Sequence, residues 1–164
     1  MSLNEIMRTE DASLSKFATV YMTTAEGNRL KMLMCKNFEA KASISNQDVP
    51  RMGSIIMGKK PTSVEISFTM TIYKCTEIFD EVLNEFISTG VMPELTIQAF
   101  NEDPATSIGK TSKIYNGCVL DGDVLLSLAG SEDDFIEQEI SGFASGYTSP
   151  EKYTNPGYMG PVDK

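Results

Sequence analysis

Val64, Ile66, Phe68, Met70 and Ile72 alternate without a break with Glu65, Ser67, Thr69, Thr71 and Tyr73. Successive side chains of an extended chain point to opposite faces, whereas a helix would scatter these apolar residues around its circumference. The stretch Thr62 to Lys74 is therefore expected to be a β-strand with one buried and one wet face, as in an antiparallel sheet covered on one side. Its wet face of Ser, Thr and Tyr suits either plain surface or the lining of a water-filled bore.

Further strands follow from β-branched and aromatic runs bounded by turn residues. They are expected over Lys16–Thr23, Arg29–Ser45, Glu94–Phe100, Lys113–Leu120, Asp123–Ala129 and Phe135–Ala144. Gly27-Asn28 and Asp121-Gly122 tolerate positive φ and mark turns, and a bulge is expected near Lys36-Asn37. One helix, 77–89, carries an apolar stripe of Ile78, Phe79, Val82, Leu83, Phe86 and Ile87. Thr76 is its expected N-cap and Gly90 its C′ residue. About seven strands and one flanking helix give a mainly β chain, an antiparallel sandwich or barrel. The expected organisation is an N-terminal arm over 1–16, one β domain over 17–146 and an extended tail over 147–164.

Ser45 to Thr62 breaks the pattern. It holds Pro50, Pro61, Gly53 and Gly58 and lacks a clear period. Sixteen or so residues is long for a connection, and long loops tend to be functional. The segment 45–62 also holds Met52, Ile55, Ile56 and Met57, which a solvated loop does not need. Such residues either fold back over the chain's own core or form a surface for a partner, here further copies of the chain.

The chain has no histidine and no tryptophan. The commonest general base and metal ligand is thus missing, and a Ser-His-Asp triad is impossible. Cys35, Cys75 and Cys118 lie about 40 residues apart with no C-x-x-C pair, and read as reduced thiols packed as small hydrophobes. Ile108-Gly109-Lys110-Thr111 lacks the earlier glycine of a phosphate loop and precedes no helix. Asp121-Gly122-Asp123 and Ser131-Glu132-Asp133-Asp134 lack the spacing of a calcium loop and read as turns. No catalytic residue, cofactor or metal is expected. No apolar run reaches the roughly 18 residues of a membrane helix, and the first residues lack the pattern of a signal peptide. A soluble protein made in a cytoplasm is expected.

Charge is unevenly placed. Residues 1–60 hold nine Lys and Arg against six acids, net +3, and the rest hold five against seventeen, net −12. The acidic total disfavours wrapping by nucleic acid. The asymmetry suits either a solubilising surface or two parts that meet between copies.

Lys36-Asn37-Phe38-Glu39-Ala40, then Val49, Met52-Gly53 and Met57-Gly58-Lys59-Lys60, resemble the XkdM-like tail tube proteins of contractile-tailed phages, defective prophages and phage-tail-like bacteriocins. The resemblance continues through Val64–Tyr73, the helix, Glu94–Phe100 and the acidic strand before Ser149-Pro150-Glu151-Lys152, and so covers residues 17–153. It implies a virion structural protein whose hexameric rings stack into a hollow tube within a contractile sheath. It also implies residence in the virion tail after assembly in the host cytoplasm. The implied partners are further copies, the sheath, baseplate and tape-measure proteins, and DNA only as non-specific passage through the bore; no membrane is involved. Asp48, Val49, Arg51, Met52, Met57, Lys59 and Lys60 become candidate subunit contacts. Two other readings are the ring protein of a type VI secretion system and a small β-barrel ligand-binding module or enzyme with a closed pocket.

Overall fold

The computed structural model describes residues 6–132 and 134–159. The first five residues of the expected arm, the last five of the tail and Asp133 of a turn lie outside them. The described chain is mainly β, with β1 (Ala18–Thr23), β2 (Arg29–Lys31), β3 (Cys35–Val49), β4 (Gly58–Tyr73), β5 (Leu95–Glu102), β6 (Lys110–Leu120), β7 (Glu137–Ala144), β8 (Gly146–Glu151) and one helix, α1 (Ile78–Thr89). The expectation was about seven strands and one helix; eight strands are present, all pairs with a described register being antiparallel. Packing divides the chain into two units: residues 1–33, 95–116 and 147–164, and residues 34–94 and 117–146. β6 passes from one to the other at Gly117, whose φ is +61°.

In the first unit the strands run β2-β1-β5-β6, with β8 also on β6. Val20, Met22, Met32, Leu95 and Ile97 are its buried apolar residues, with Tyr115. Residues 147–164 were expected to be an extended tail. β8, at its start, is held by Lys113 Nζ donating to Ser149 Oγ at 2.9 Å and by the Lys110–Glu151 ion pair at 3.2 Å. The expected arm is pinned by short 3-10 turns at Thr9–Asp11 and Ser15–Phe17, and Asp103 Oδ2 accepts from the Leu14 amide at 3.0 Å.

In the second unit β4 lies between β3 and β7, and the end of β6 pairs with β7 at Val119–Phe143 and Leu120–Gly142. The alternation of β4 becomes burial: Phe68, Met70 and Ile72 are buried, as are Phe79, Val82, Cys118 and Ile140 of the same unit. The bulge expected near Lys36-Asn37 is present as a register shift between Cys35 and Asn37. Helix α1 starts at Ile78 with Glu77, not Thr76, as its N-cap, because the Thr76 hydroxyl accepts from the Ile78 amide at 3.4 Å instead of from a residue further in. Gly90 closes it with φ +76° and donates to the Phe86 carbonyl at 2.8 Å. Only the first half of its apolar stripe is buried; Phe86 and Ile87 are exposed.

Residues 123–129 are not a strand, although Val124, Leu126 and Leu128 alternate. Lys74 Nζ donates to the Leu125 carbonyl at 2.7 Å, taking an acceptor that a ladder would use. Leu126 and Leu128 are exposed, so no second layer rewards the alternation. Cys118 is buried as expected of a small hydrophobe, Cys35 is half-buried and Cys75 is exposed. No helix of the described residues is long and apolar enough to cross a membrane.

Candidate functional site

The segment expected to be a loop over 45–62 is mostly a β-hairpin. Strand pairing continues past Ile44–Val64 and Ser45–Ser63, slips by one residue, and resumes as Asn46–Pro61, Gln47–Lys60, Asp48–Lys59 and Val49–Gly58. The prolines and glycines that suggested a loop have specific places in it. Pro61 has no amide to give a ladder, and it sits at the slip, where such a residue is tolerated. Thr62, the extra residue, donates its hydroxyl to the Ser45 carbonyl at 3.2 Å. Only residues 50–57 form the connection.

The connection is internally bonded. Ser54 Oγ accepts from the Ile56 amide at 3.1 Å, and Arg51 Nη2 donates to the Ile56 carbonyl at 3.1 Å. Gly53 turns the chain with φ +78°. The polar groups are thus spent on the turn itself, and the apolar side chains are left outside. Met52 and Ile55 have relative exposures of 104% and 105%. Ile44, Val49, Ile56, Met57 and Val64 are exposed as well. The apolar residues do not fold back over the subunit's own core.

Every residue from Lys41 to Met57 is exposed, so the outer hairpin is a two-stranded ribbon with both faces in water. Such ribbons are marginal alone, and one dressed with isoleucine, valine and methionine has its apolar burial to gain from a partner. The seven candidate contacts come together here. Asp48 and Lys59 form a cross-strand salt bridge, Lys60 stands beside them, Val49 pairs with Gly58, and Arg51, Met52 and Met57 lie on the connection. Arg51 and Lys60 make no salt bridge among the described residues. Ile44, Ile55, Ile56 and Val64 belong to the same surface. Val64 was expected on a buried face, because alternation marks which residues share a face and not whether that face is covered.

A second feature of this unit was missed. An open cleft of about 720 Å³ lies between residues 122–127 and β7 from Glu137 to Ser141. Gln138 lines it, is 4% exposed, and neither atom of its amide has a hydrogen-bond partner among the described residues. The signal was legible: with Glu137 and Glu139 outward, Gln138 falls on the inward face beside Ile140.

The surface on offer is thus apolar, protruding and free of catalytic geometry, and a family match says what kind of protein carries it. The model described as Phage tail tube protein matches residues 5–151. This chain belongs to the phage tail tube protein family. It is a structural protein, not an enzyme. The phage-like element PBSX protein XkdM of Bacillus subtilis (strain 168) is 26% identical over 125 residues, 76% of this chain and 84% of that protein. Two solved structures share the fold. The cap of the anti-feeding prophage (its tube terminating cap) superposes with a TM-score of 0.68 at 11% identity, covering 93% of this chain and all of that one. A chain of the sheath-tube complex of the extracellular contractile injection system PVC, in its extended state, gives 0.60 at 14% identity, covering 88% of this chain and 98% of that one.

Proposed function

We propose that this tail tube protein is the repeating subunit of a contractile tail, that six copies close a ring, and that rings stack into a hollow tube for the passage of DNA or an effector. The observation that carries this reading is the hairpin arm, whose apolar residues lie wholly in water in the single subunit. Stacked rings need heterologous interfaces, in which one face of a subunit meets a different face of the next. The +3 and −12 parts of the chain supply complementary charge for such a contact, and an acidic bore would repel DNA and let it slide. Sheath, baseplate and tape-measure proteins are its partners, assembly takes place in the host cytoplasm, and the virion tail is its final location. Relatives in fold come from a sheath-tube complex and a tube cap, which fits such company.

Negative-stain microscopy of concentrated protein tests the reading. Six-fold rings or tubes are expected, and Arg51→Glu with Lys59→Glu should abolish them while leaving the circular dichroism unchanged. A subunit that stays monomeric at millimolar concentration would sink the proposal.

A further inference from the structure

Gln138 is buried on the inward face of β7 with both amide atoms unpaired among the described residues, and it lines the cleft between β7 and residues 122–127. A buried amide costs free energy unless it is paired, and both of these atoms are closed to solvent in the single subunit.

β7 offers strand-pairing chemistry on the side of the cleft. It pairs with β4 along its whole length but, among the described residues, with β6 only at Phe143 and Gly142. The Lys74 amide donates to the Ile136 carbonyl, and the Asp121 amide donates to the Ser141 carbonyl, each on its own side of the strand. Alternation then turns the backbone groups of Glu137 and Glu139 away from β4, toward the cleft. A strand edge with pockets beside it is how sheets take up an extended or hairpin segment.

We propose that this cleft receives the hairpin tip, residues 50–57, of a second copy. The proposal rests on the assembly reading above and names the receiving site. Three observations select the tip as occupant. The first is charge: Asp123 and Glu139 line the cleft without a salt bridge among the described residues, while Arg51 and Lys60 of the arm have none either. The second is apolar matching, because Val124, Leu125 and Leu126 of the cleft meet a tip that exposes Met52, Ile55 and Ile56. The third is polarity along one ribbon. The tip leaves β4 at Gly58, whereas the cleft residues Glu137 and Glu139 pair with Tyr73 and Thr71 at the other end. Tip and cleft are therefore set apart by roughly 40 Å of strand, at about 3.3 Å per residue. A tip that fills the cleft of the next copy leaves its own cleft open for another, so the contact repeats without closing.

A charge-exchange cycle tests this on the full chain, with the critical concentration for rings and tubes as the readout. Glu139→Arg and Arg51→Glu should each raise that concentration about tenfold, and the double variant should restore it to within about threefold, as a direct ion pair would. A double variant no better than the worse single overturns the proposal, as do singles that assemble normally. Should Glu139→Arg fold poorly by circular dichroism, Glu139→Gln with Arg51→Gln replaces the pair, with the same non-additivity expected. A second measurement fixes the contact itself. Ser54→Cys with Ser127→Cys, in a Cys75→Ser background, should give a ladder of disulfide-linked chains on oxidation of assembled material. Assemblies that form without the ladder overturn the cleft assignment alone. A wild-type chain that never assembles overturns the functional reading, and this inference falls with it.

Discussion

The hydroxyl of Tyr158 donates to Asp11 Oδ2 at 2.9 Å, so one carboxylate joins the two ends of the described chain. The other oxygen, Oδ1, accepts from the Ser107 amide at 2.9 Å and from its hydroxyl at 2.7 Å. Segments outside regular strands are thereby tied to the first unit by side-chain hydrogen bonds, which are sensitive to protonation.

The pH range of this tie follows from its two titrating groups. The Ser107 amide and hydroxyl hold the Asp11 carboxyl below its ordinary value of 3.8. A lowered carboxyl pKa means that its contribution is present above 3.8 and is lost as pH falls through the folded value. Burial, then the bond to Asp11, raises the Tyr158 phenol above its ordinary 10.0. Its contribution is present below 10.0 and is lost as pH rises through the raised value. The Ser107 amide resonance should therefore stay put between 3.8 and 10.0 and move only outside that window. Asp11→Ala should shift it throughout and open residues 6–17 to protease. An amide that titrates near neutrality in the wild-type chain would show the tie to be misassigned.

Lys74 and Asp80 form a different kind of pair. Their side chains are only 12% and 15% exposed, and the ammonium lies 2.7 Å from the carboxylate. Removing one partner of a buried pair strands the other charge, at a cost of about 3 kcal/mol. Asp80→Asn should lower the urea midpoint accordingly, and Lys74→Met should do the same by stranding the Asp80 carboxylate, while the double variant Lys74→Met with Asp80→Asn should cost less than the two singles together because no charge is left behind. Since Lys74 also donates to the Leu125 carbonyl, Lys74→Met should speed hydrogen exchange across residues 121–127. A double variant that costs as much as the sum of the singles would argue against a desolvated ion pair at this position.

Gly142 is set by space and not by backbone angle. A Cβ there would lie 2.1 Å from the Val119 carbonyl oxygen and 2.9 Å from Phe68 Cζ. The first neighbour is backbone of a paired strand and cannot swing aside. Gly142→Ala should destabilise the fold by about 3 kcal/mol or more. Gly130→Ala, with nothing within 4 Å, is the control and should stay within about 0.5 kcal/mol. Thermal unfolding of the two variants measures the difference.

The strands were legible wherever a local pattern met a covered face. Phe68, Met70 and Ile72 alternate and are buried, and Gly90 ends its helix as its chemistry demands. The errors have one physical origin: a pattern constrains a face, but only packing and hydrogen bonds determine what the face becomes. Val124, Leu126 and Leu128 alternate with no layer above them, and Lys74 claims the backbone between. Pro61 and Gly58 read as loop residues because propensity is local, while the bulge and the pairing opposite Asn46 and Val49 are long-range. The apolar residues of the arm were legible as misplaced. Their setting, on a bonded turn at the end of a ribbon, was not, since it depends on the Arg51 and Ser54 contacts to Ile56.

Substitutions at the tip separate folding from assembly most cleanly. Ile55 and Ile56 are exposed in the single subunit, and no described hydrogen bond involves their side chains. Ile55→Ser with Ile56→Ser should leave the melting temperature of the subunit unchanged, each exposed substitution falling within about 0.5 kcal/mol. In an assembled contact, burying each isoleucine contributes about 1.5–3 kcal/mol. Losing both should raise the critical concentration for rings or tubes by more than about a hundredfold, at 1.4 kcal/mol per tenfold. Sedimentation velocity across a concentration series measures the shift. A lowered melting temperature would mean that the tip packs on its own subunit, and unchanged assembly would remove the arm from the interface.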